Sequence, residues 1–259
     1  STITMTTAAP QRAYRTSVRY TDRRGKALYI ADKYASILIG GVLDVGCDEA
    51  PLRKLVHQPF RYVGVDIHKD ADVVVNLDRD PLPFPDRHFD TVLCTDVLEH
   101  LERCHAVFDD LCRVARDRVI VSLPNPLWNL LCAAFEGRGG RLKYYGLPVE
   151  PPTDRHRWFF GHDEAVEFLS SRGRRNGFEV EQIDAEEGHI PAWLNSTGEN
   201  VLNHPNVRGG TIWCVLRRAD SGGPKWSTAR GASVRILPGF PIETIDSRGR
   251  TAFFPRPRT

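Results

Sequence analysis

What this 259-residue sequence lacks narrows its class before its motifs are considered. No apolar run approaches the roughly 18 residues that cross a bilayer. The opening STITMTTAAPQR is polar where a secretion signal carries its apolar core. A cytoplasmic protein is expected. The six cysteines, Cys47, Cys94, Cys104, Cys112, Cys132 and Cys214, form no C-x-x-C pair, which excludes a thiol-redox motif and a zinc-finger framework. They read as reduced thiols, with Cys94 and Cys214 inside apolar runs as small buried hydrophobes. No internal repeat is visible.

With 41% hydrophobic and 26% charged residues, the chain can bury one substantial core, or one core plus a small appendage. The net charge of +2 hides an uneven spread. Residues 1–27 carry +5, from Arg12, Arg15, Arg19, Arg23, Arg24 and Lys26 against Asp22; residues 219–259 carry +4, and the body between them carries −7. Basic ends on an acidic body fit either an anionic partner such as RNA or solvated tails packed on that body.

Helical and strand patterns alternate along the body. Residues 25–38 space Leu28, Ile30, Ala31, Tyr34 and Leu38 as a helix does, and Gly40-Gly41 leads into a strand at 42–45. Residues 49–57 can form the next helix. Short apolar strands follow at 62–65, 73–77, 91–95 and 119–123, as expected for strands covered on both faces. Between the last two, Leu98, Leu101, His105, Phe108, Leu111, Cys112 and Ala115 mark one face of an amphipathic helix. A helix from an Asp163 N-cap to about Arg174, stopped by Gly177, precedes closing strands at 178–183 and 211–217. The alternation predicts an α/β fold built on a doubly wound sheet, with ligands outside the C-terminal ends of its strands. Residues 124–161, with tryptophan, glycine and a Pro151-Pro152 pair, break the pattern and predict a cap. Residues 219–259 read as a Pro-, Gly- and Arg-rich extension.

The chemistry sits on that frame. In LDVGCDEAPL, at 43–52, Asp44 ends the first strand and Gly46 opens a turn where the lack of a Cβ lets the backbone approach a ligand. Asp66 ends the second strand, about 20 residues later, where a carboxylate accepts from both hydroxyls of an adenosine ribose.

The next stretch, NLDRDPLPFPDRHFD at 76–90 followed by TVLCTDVLEHL at 91–101, completes a set of motifs that resembles class I S-adenosylmethionine-dependent methyltransferases. It is most similar to their quinone-biosynthesis and small-molecule branch, methyltransferase type 11. The resemblance covers residues 42–123 closely and extends loosely to 217. It implies a doubly wound, seven-stranded Rossmann-like sheet with helices on both faces, within a domain at 28–218. The basic segment 1–27 precedes that domain, the cap insertion 124–161 follows its fifth strand, and 219–259 forms a C-terminal extension. The implied cofactor is S-adenosyl-L-methionine, leaving S-adenosyl-L-homocysteine as product. Carried over residue by residue, Asp44 and the backbone of Gly46, Cys47 and Asp48 lie along the cofactor's methionine part. Asp66 holds the ribose, Ile67 packs on the adenine, and Asp78, flanked by Leu77, accepts from the adenine amino group. Cys94 and Thr95 offer backbone groups to the cofactor's amino group. A nicotinamide-binding turn would instead want G-x-G-x-x-G, and here Asp48 and Pro51 take the second and third glycine positions. An acid at 48 is unfavourable beside a diphosphate and tolerable beside a sulfonium.

Methyl transfer from a sulfonium requires a nucleophile held in line, water excluded and, for oxygen or nitrogen nucleophiles, a proton removed. The candidate bases are His156, flanked in DRHRWFFGHD by Asp154, Arg155, Arg157 and Trp158, and His100 of the LEH stretch; His162 also lies beside the cap. Asp96, Glu99 and His100 have the spacing of the acid, acid and histidine that bind a divalent cation in some quinone-pathway and small-RNA 2′-O-methyltransferases. Many metal-free relatives also read DVLEH, so no metal is expected. Pro124-Asn125-Pro126 reads as a turn. Trp128, Tyr144, Tyr145, Trp158, Phe159 and Phe160 make the cap aromatic, which suits a planar or apolar acceptor and equally suits a cap with its own core. The expectation is a methyltransferase for a small or medium-sized acceptor. Oxygen is favoured as the methylated atom, because no pocket of acids for a cationic amine is evident. Two alternatives stay open: an RNA acceptor, from the basic ends, and a non-catalytic cofactor-binding or assembly protein, from the altered glycine turn.

Overall fold

The structure, a computed structural model, describes residues 14–55, 60–135, 142–187 and 204–220, together with three short strands further along the chain. Its main sheet has seven strands in the order β3-β2-β1-β4-β5-β7-β6. β1 (Gly40–Val45), β2 (Phe60–Asp66), β3 (Val73–Val74), β4 (Phe89–Thr95) and β5 (Ala115–Leu123) are parallel. β7 (Gly209–Arg218) runs antiparallel between β5 and β6 (Phe178–Glu187). The winding reverses between β1 and β4, the switch point where such sheets open a cleft at their C-terminal ends. Val45 lies beside Val65 on one side and Cys94 on the other, so β1, β2 and β4 end level and bring Gly46, Asp66 and Thr95 to one rim.

Period-two alternation divides the core between the two faces of the sheet. Leu43, Val92, Cys94, Val119, Val121, Ile212 and Cys214 face one side, where they pack against α2 (Cys104–Val114) and α4 (His162–Arg175). Val42, Leu93, Ile120, Trp213 and Val215 face the other, against α1 (Arg23–Lys33). Helices therefore cover both faces, as the doubly wound reading requires. α1 begins on Asp22, whose Oδ1 accepts from the Gly25 amide at 2.7 Å. Its buried Lys33 donates to Tyr29 at 2.8 Å and to Asp184 of β6 at 2.6 Å, which ties the helix across the sheet. Cys47, Cys94, Cys104, Cys112 and Cys214 are buried free thiols. Among the described residues no helix is long and apolar enough to cross a membrane.

Local structure corrects several expectations. α1 ends at Lys33 with a Tyr34 cap, and Leu28, in the expected apolar stripe, is 42% exposed, because Ala27, Ile30 and Tyr34 form the buried side. Of 49–57, the described residues form a 3₁₀ turn at Pro51–Lys54; left-handed Asp48 and Ala50 keep a helix from starting at 49, and 56–59 lie outside the described residues. The strand expected at 73–77 shrinks to Val73–Val74 because the chain then turns at Asn76, whose side chain accepts from the Asp78 amide at 3.1 Å. The helix expected through 98–115 breaks at Leu101, which is extended. A 3₁₀ turn, Leu98–His100, is thereby separated from α2, whose buried face is Cys104, Val107, Phe108, Leu111 and Cys112, while His105 is exposed and Ala115 already belongs to β5. Gly161, not Asp163, caps α4, and Asp163 sits in the first turn; Gly177, at φ +76°, follows the helix as expected.

The region expected to be a cap contains α3 (Pro126–Phe135) and, at 142–161, a segment without helix or strand. Asn125 caps α3, its Oδ1 accepting from the Leu127 and Trp128 amides at 3.1 and 3.3 Å, so Pro124-Asn125-Pro126, expected as a turn, is the entry to a helix. A short helix, α5 (Pro205–Arg208), precedes β7. Within the C-terminal extension, β8 (Val234–Arg235), β9 (Glu243–Ile245) and β10 (Thr251–Phe253) form a small antiparallel sheet; the remainder from 221 onward lies outside the described residues.

Candidate functional site

The loop after β1 keeps the backbone of a glycine turn with only the first of its glycines. Gly46, Asp48 and Ala50 all have positive φ, at +78°, +50° and +52°. A left-handed non-glycine residue costs roughly 1–2 kcal/mol, and such outliers persist where surrounding bonds over-determine them. Here the Gly46 and Cys47 amides donate to the Val65 carbonyl at 2.8 and 3.2 Å, and the Ala50 amide donates to the Cys47 carbonyl at 2.8 Å. The Asp48 amide donates to Asp66 Oδ2 at 2.8 Å, and Arg23 meets the Asp48 carboxylate at 2.5 Å. Gly46 cannot be replaced without displacement, because a Cβ there would stand 2.2 Å from Val97 Cγ2.

Asp66 closes the neighbouring corner. Its Oδ1 accepts from the His68 amide at 3.1 Å, and beside it Ile67 presents an apolar side chain that is 64% exposed. Leu77 packs into the core, and Asp78 Oδ1 accepts from the amides of Glu102 and Arg103 at 2.9 and 3.2 Å, holding the entry to α2. The Cys94 side chain is wholly buried at the end of β4, and the next carbonyl, of Thr95, accepts from Lys26 Nζ at 3.2 Å.

Charge at this rim is mainly negative. Asp44 is buried, and Tyr62 donates its hydroxyl to Asp44 Oδ2 at 2.6 Å. Burial pushes the Asp44 carboxyl up to about 6; the Tyr62 hydrogen bond and the charges of Lys26 and Arg53 oppose this, and Asp66 adds to it. Asp96, left-handed at φ +55°, accepts from Lys26 at 2.7 Å and from the Ser122 hydroxyl at 2.6 Å. Lys26, Arg23 and Tyr62 were not among the residues singled out from the sequence. The available signal was charge: Asp44, Asp48, Asp66 and Asp96 converge on one rim, and segment 1–27 holds the surplus of bases. Lys26, its side chain 16% exposed, lies in the cleft, whereas Arg23 reaches Asp48 from an exposed position.

A second cluster lies past β4. The 142–161 segment is bonded to the LEH turn: the Arg157 amide donates to the Glu99 carbonyl at 2.7 Å, and Trp158 Nε1 donates to the Leu101 carbonyl at 2.8 Å. This brings His156 against His100, with ring centroids 4.5 Å apart, while Tyr144 stacks on His156 at 4.5 Å and Tyr145 meets it edge-on. Asp154 pairs with His100 Nδ1 at 2.6 Å, so the carboxylate in DRHRWFFGHD orients the other histidine. Burial and the neighbouring His100 lower the His156 pKa to about 4, which keeps the imidazole neutral at pH 7. Glu99 is buried close to both imidazoles, and burial holds its carboxyl well above the usual range. His162 opens α4, where it meets Asp163.

The sheet order, the switch-point cleft and the glycine-like turn define a class I methyltransferase fold. The chain matches the family described as a methyltransferase domain over residues 22–183, more than half its length, and belongs to that family. It is an S-adenosylmethionine-dependent methyltransferase, and S-adenosylmethionine is its cofactor. Among solved structures it is similar to the PH0226 protein of Pyrococcus horikoshii OT3, at 18% identity and a TM-score of 0.50, covering 78% of this chain and 94% of that one. It is also similar to the magnesium protoporphyrin IX methyltransferase of Synechocystis PCC 6803 with bound SAH, at 17% identity and a TM-score of 0.48, covering 75% and 83%. A third similar structure is a SAM-dependent methyltransferase of Methanosarcina mazei, at 14% identity and a TM-score of 0.46, covering 70% and 93%. No curated protein matches the chain. The residues fit the cofactor: with Asp48 and Asp96 paired to Arg23 and Lys26, the rim still keeps the carboxylates of Asp44 and Asp66, which suit a cationic ligand better than a diphosphate.

Proposed function

We propose that the chain methylates an oxygen atom of a small or medium-sized acceptor, seated between the C-terminal ends of β1 and β4 and the aromatic 142–161 segment. The observation that carries this reading is the bonding of that segment to the turn immediately after β4. It sets Tyr144, Tyr145 and His156 beside the rim on which the cofactor residues converge. When bound, the cofactor supplies an already activated methyl group. The chain then has to bind, orient and exclude water. In this reading Asp44 and the backbone of 46–48 hold the methionine part, Asp66 the ribose, Ile67 and Asp78 the adenine, and the Thr95 carbonyl the amino group. His100 and His156 face the acceptor hydroxyl, and the aromatic rings shield it. The altered turn, which was the ground for a non-catalytic reading, retains the left-handed backbone of a glycine turn. Arg23 and Lys26, part of the basic surplus behind an RNA reading, are paired with Asp48 and Asp96.

The test is release of S-adenosylhomocysteine with a panel of phenols, carboxylic acids, amines and short RNAs at low and high salt. Turnover with hydroxyl or carboxyl acceptors is expected, and turnover confined to amines or RNA would overturn the proposal.

Asp44 gives the cofactor reading a pH signature. The groups facing it are Tyr62 and Asp66 from β2, Lys26 from α1, Arg53 from the 3₁₀ turn, and the buried thiols Cys47 and Cys94. Because its folded pKa of about 6 lies above the ordinary 3.8, its contribution to stability is complete below pH 3.8 and is lost as pH rises through about 6. Binding of a cationic amino group favours the ionised form, so affinity runs the other way. S-adenosylhomocysteine should bind about tenfold more weakly at pH 5 than at pH 7, and Asp44→Asn should flatten that slope. An Asp44→Asn variant that keeps the wild-type slope in calorimetry would remove Asp44 as its source.

A further inference from the structure

We propose that Glu99, His100 and His156 form a binding site for a divalent first-row transition ion. One carboxylate oxygen and two imidazole nitrogens from these residues lie within 4.8 Å of one another. Ligands on a shell of about 2.1 Å stand roughly 3–4 Å apart, so side-chain rotation alone can close the set.

Independent observations support a cation here. Glu99 and His156 are only 2% and 6% exposed, yet Glu99 Oε2 and His156 Nδ1 have no hydrogen-bond partner among the described residues. Buried polar atoms left without partners are costly, and a bound cation would satisfy both. The other two groups do not satisfy each other, since His100 Nε2 stands 3.8 Å from Glu99 Oε1, beyond hydrogen-bond length. The nearby cation, Lys26, is committed to Asp96 and the Thr95 carbonyl.

The surroundings match those of a metal-binding histidine. Asp154 accepts from His100 Nδ1 and so directs the Nε2 lone pair toward Glu99, an outer-layer carboxylate that fixes ring and tautomer. The stacked Tyr144 ring and the Arg157–Glu99 backbone bond hold His156 in place. Asp96, which shares the sequence spacing, is held by Lys26 and Ser122, and His156 from the distant segment takes its place in the cluster. Two imidazoles with one carboxylate suit zinc, cobalt or a similar ion better than magnesium or calcium, which prefer all-oxygen sites. Three protein ligands leave a position open, and an acceptor oxygen bound there would lose its proton more readily. That last step rests on the oxygen-methylation reading, in which the histidines then hold the ion and do not accept the proton themselves; ion binding itself does not depend on it.

The experiment is calorimetric titration of Zn²⁺ and Co²⁺ into protein dialysed against EDTA, with visible spectra of the Co²⁺ form, on wild type, Glu99→Gln, His156→Ala and Asp154→Asn. One equivalent should bind to wild type, at least 100-fold more weakly to Glu99→Gln and His156→Ala, and about tenfold more weakly to Asp154→Asn. Absence of saturable 1:1 binding to wild type, unchanged affinity in the near-isosteric Glu99→Gln, or thiolate-to-cobalt bands placing the ion on cysteine would each overturn the site. S-adenosylhomocysteine binding, measured on the same metal-free samples, reports folding and separates the two readings. Wild type that binds it but no ion fails this proposal alone, and wild type that binds the ion but not S-adenosylhomocysteine fails the cofactor-site assignment alone.

Discussion

Asp66→Ala should lower affinity for S-adenosylhomocysteine by at least 100-fold. The residue is placed to act twice. Its Oδ2 already receives the Asp48 amide at 2.8 Å and its Oδ1 the His68 amide at 3.1 Å, so the carboxylate shapes the turn that would receive the methionine part. In the proposed complex the same group accepts from the ribose hydroxyls. Hydrogen bonds to a charged acceptor contribute about 1.5–3 kcal/mol each; loss of two amounts to roughly 3–6 kcal/mol, or more than two decades in affinity. Asp66→Asn keeps one acceptor oxygen for the Asp48 amide and should lose less, on the order of tenfold. Calorimetry on both variants, with thermal melts to show that they fold, checks this ordering. Affinity equal to wild type in Asp66→Ala would remove Asp66 from the cofactor site.

The parts of the site legible in the sequence are those set by short-range rules. Strands β1, β2, β4 and β5 are covered on both faces and read as apolar runs, so their C-terminal ends, and with them Asp44, Gly46, Asp66 and Thr95, could be placed to within a residue or two, although β5 begins four residues before the expected 119. The helix expected through 98–115 failed for a local reason that periodicity does not report. Leu101 is extended, and the LEH turn spends its backbone on contacts with residues 157 and 158. Those contacts are also why the partners of the LEH turn were illegible. His156 and Tyr144 reach it from 40 to 60 residues away through a segment with no periodic structure, and no spacing rule connects them. Lys26 was obscured differently. A base in a basic stretch resembles tail charge until the sheet brings four acids to the same rim.

The glycine turn supplies the other large effect. Gly46→Ala should destabilise the fold by about 2–4 kcal/mol, the sum of a left-handed alanine at roughly 1–2 kcal/mol and overpacking of at least about 1 kcal/mol. The overpacking arises because the new Cβ stands 2.2 Å from Val97 Cγ2 at a φ of +78°. For a chain of this size that is a fall of roughly 5–15 °C in melting temperature. Cofactor affinity should drop more than tenfold, because the turn can relieve the contact only by shifting. The two causes can be separated. Val97→Ala in the Gly46→Ala background removes the collision and leaves the backbone cost, so about half of the lost stability should return. Ala50→Gly tests the backbone cost alone with the opposite sign. Ala50 already sits at φ +52°, so removing its Cβ should be neutral or stabilise by up to about 1 kcal/mol. If Gly46→Ala melted with the wild type, the turn could not have the left-handed backbone on which both its strain and its fit to the cofactor depend.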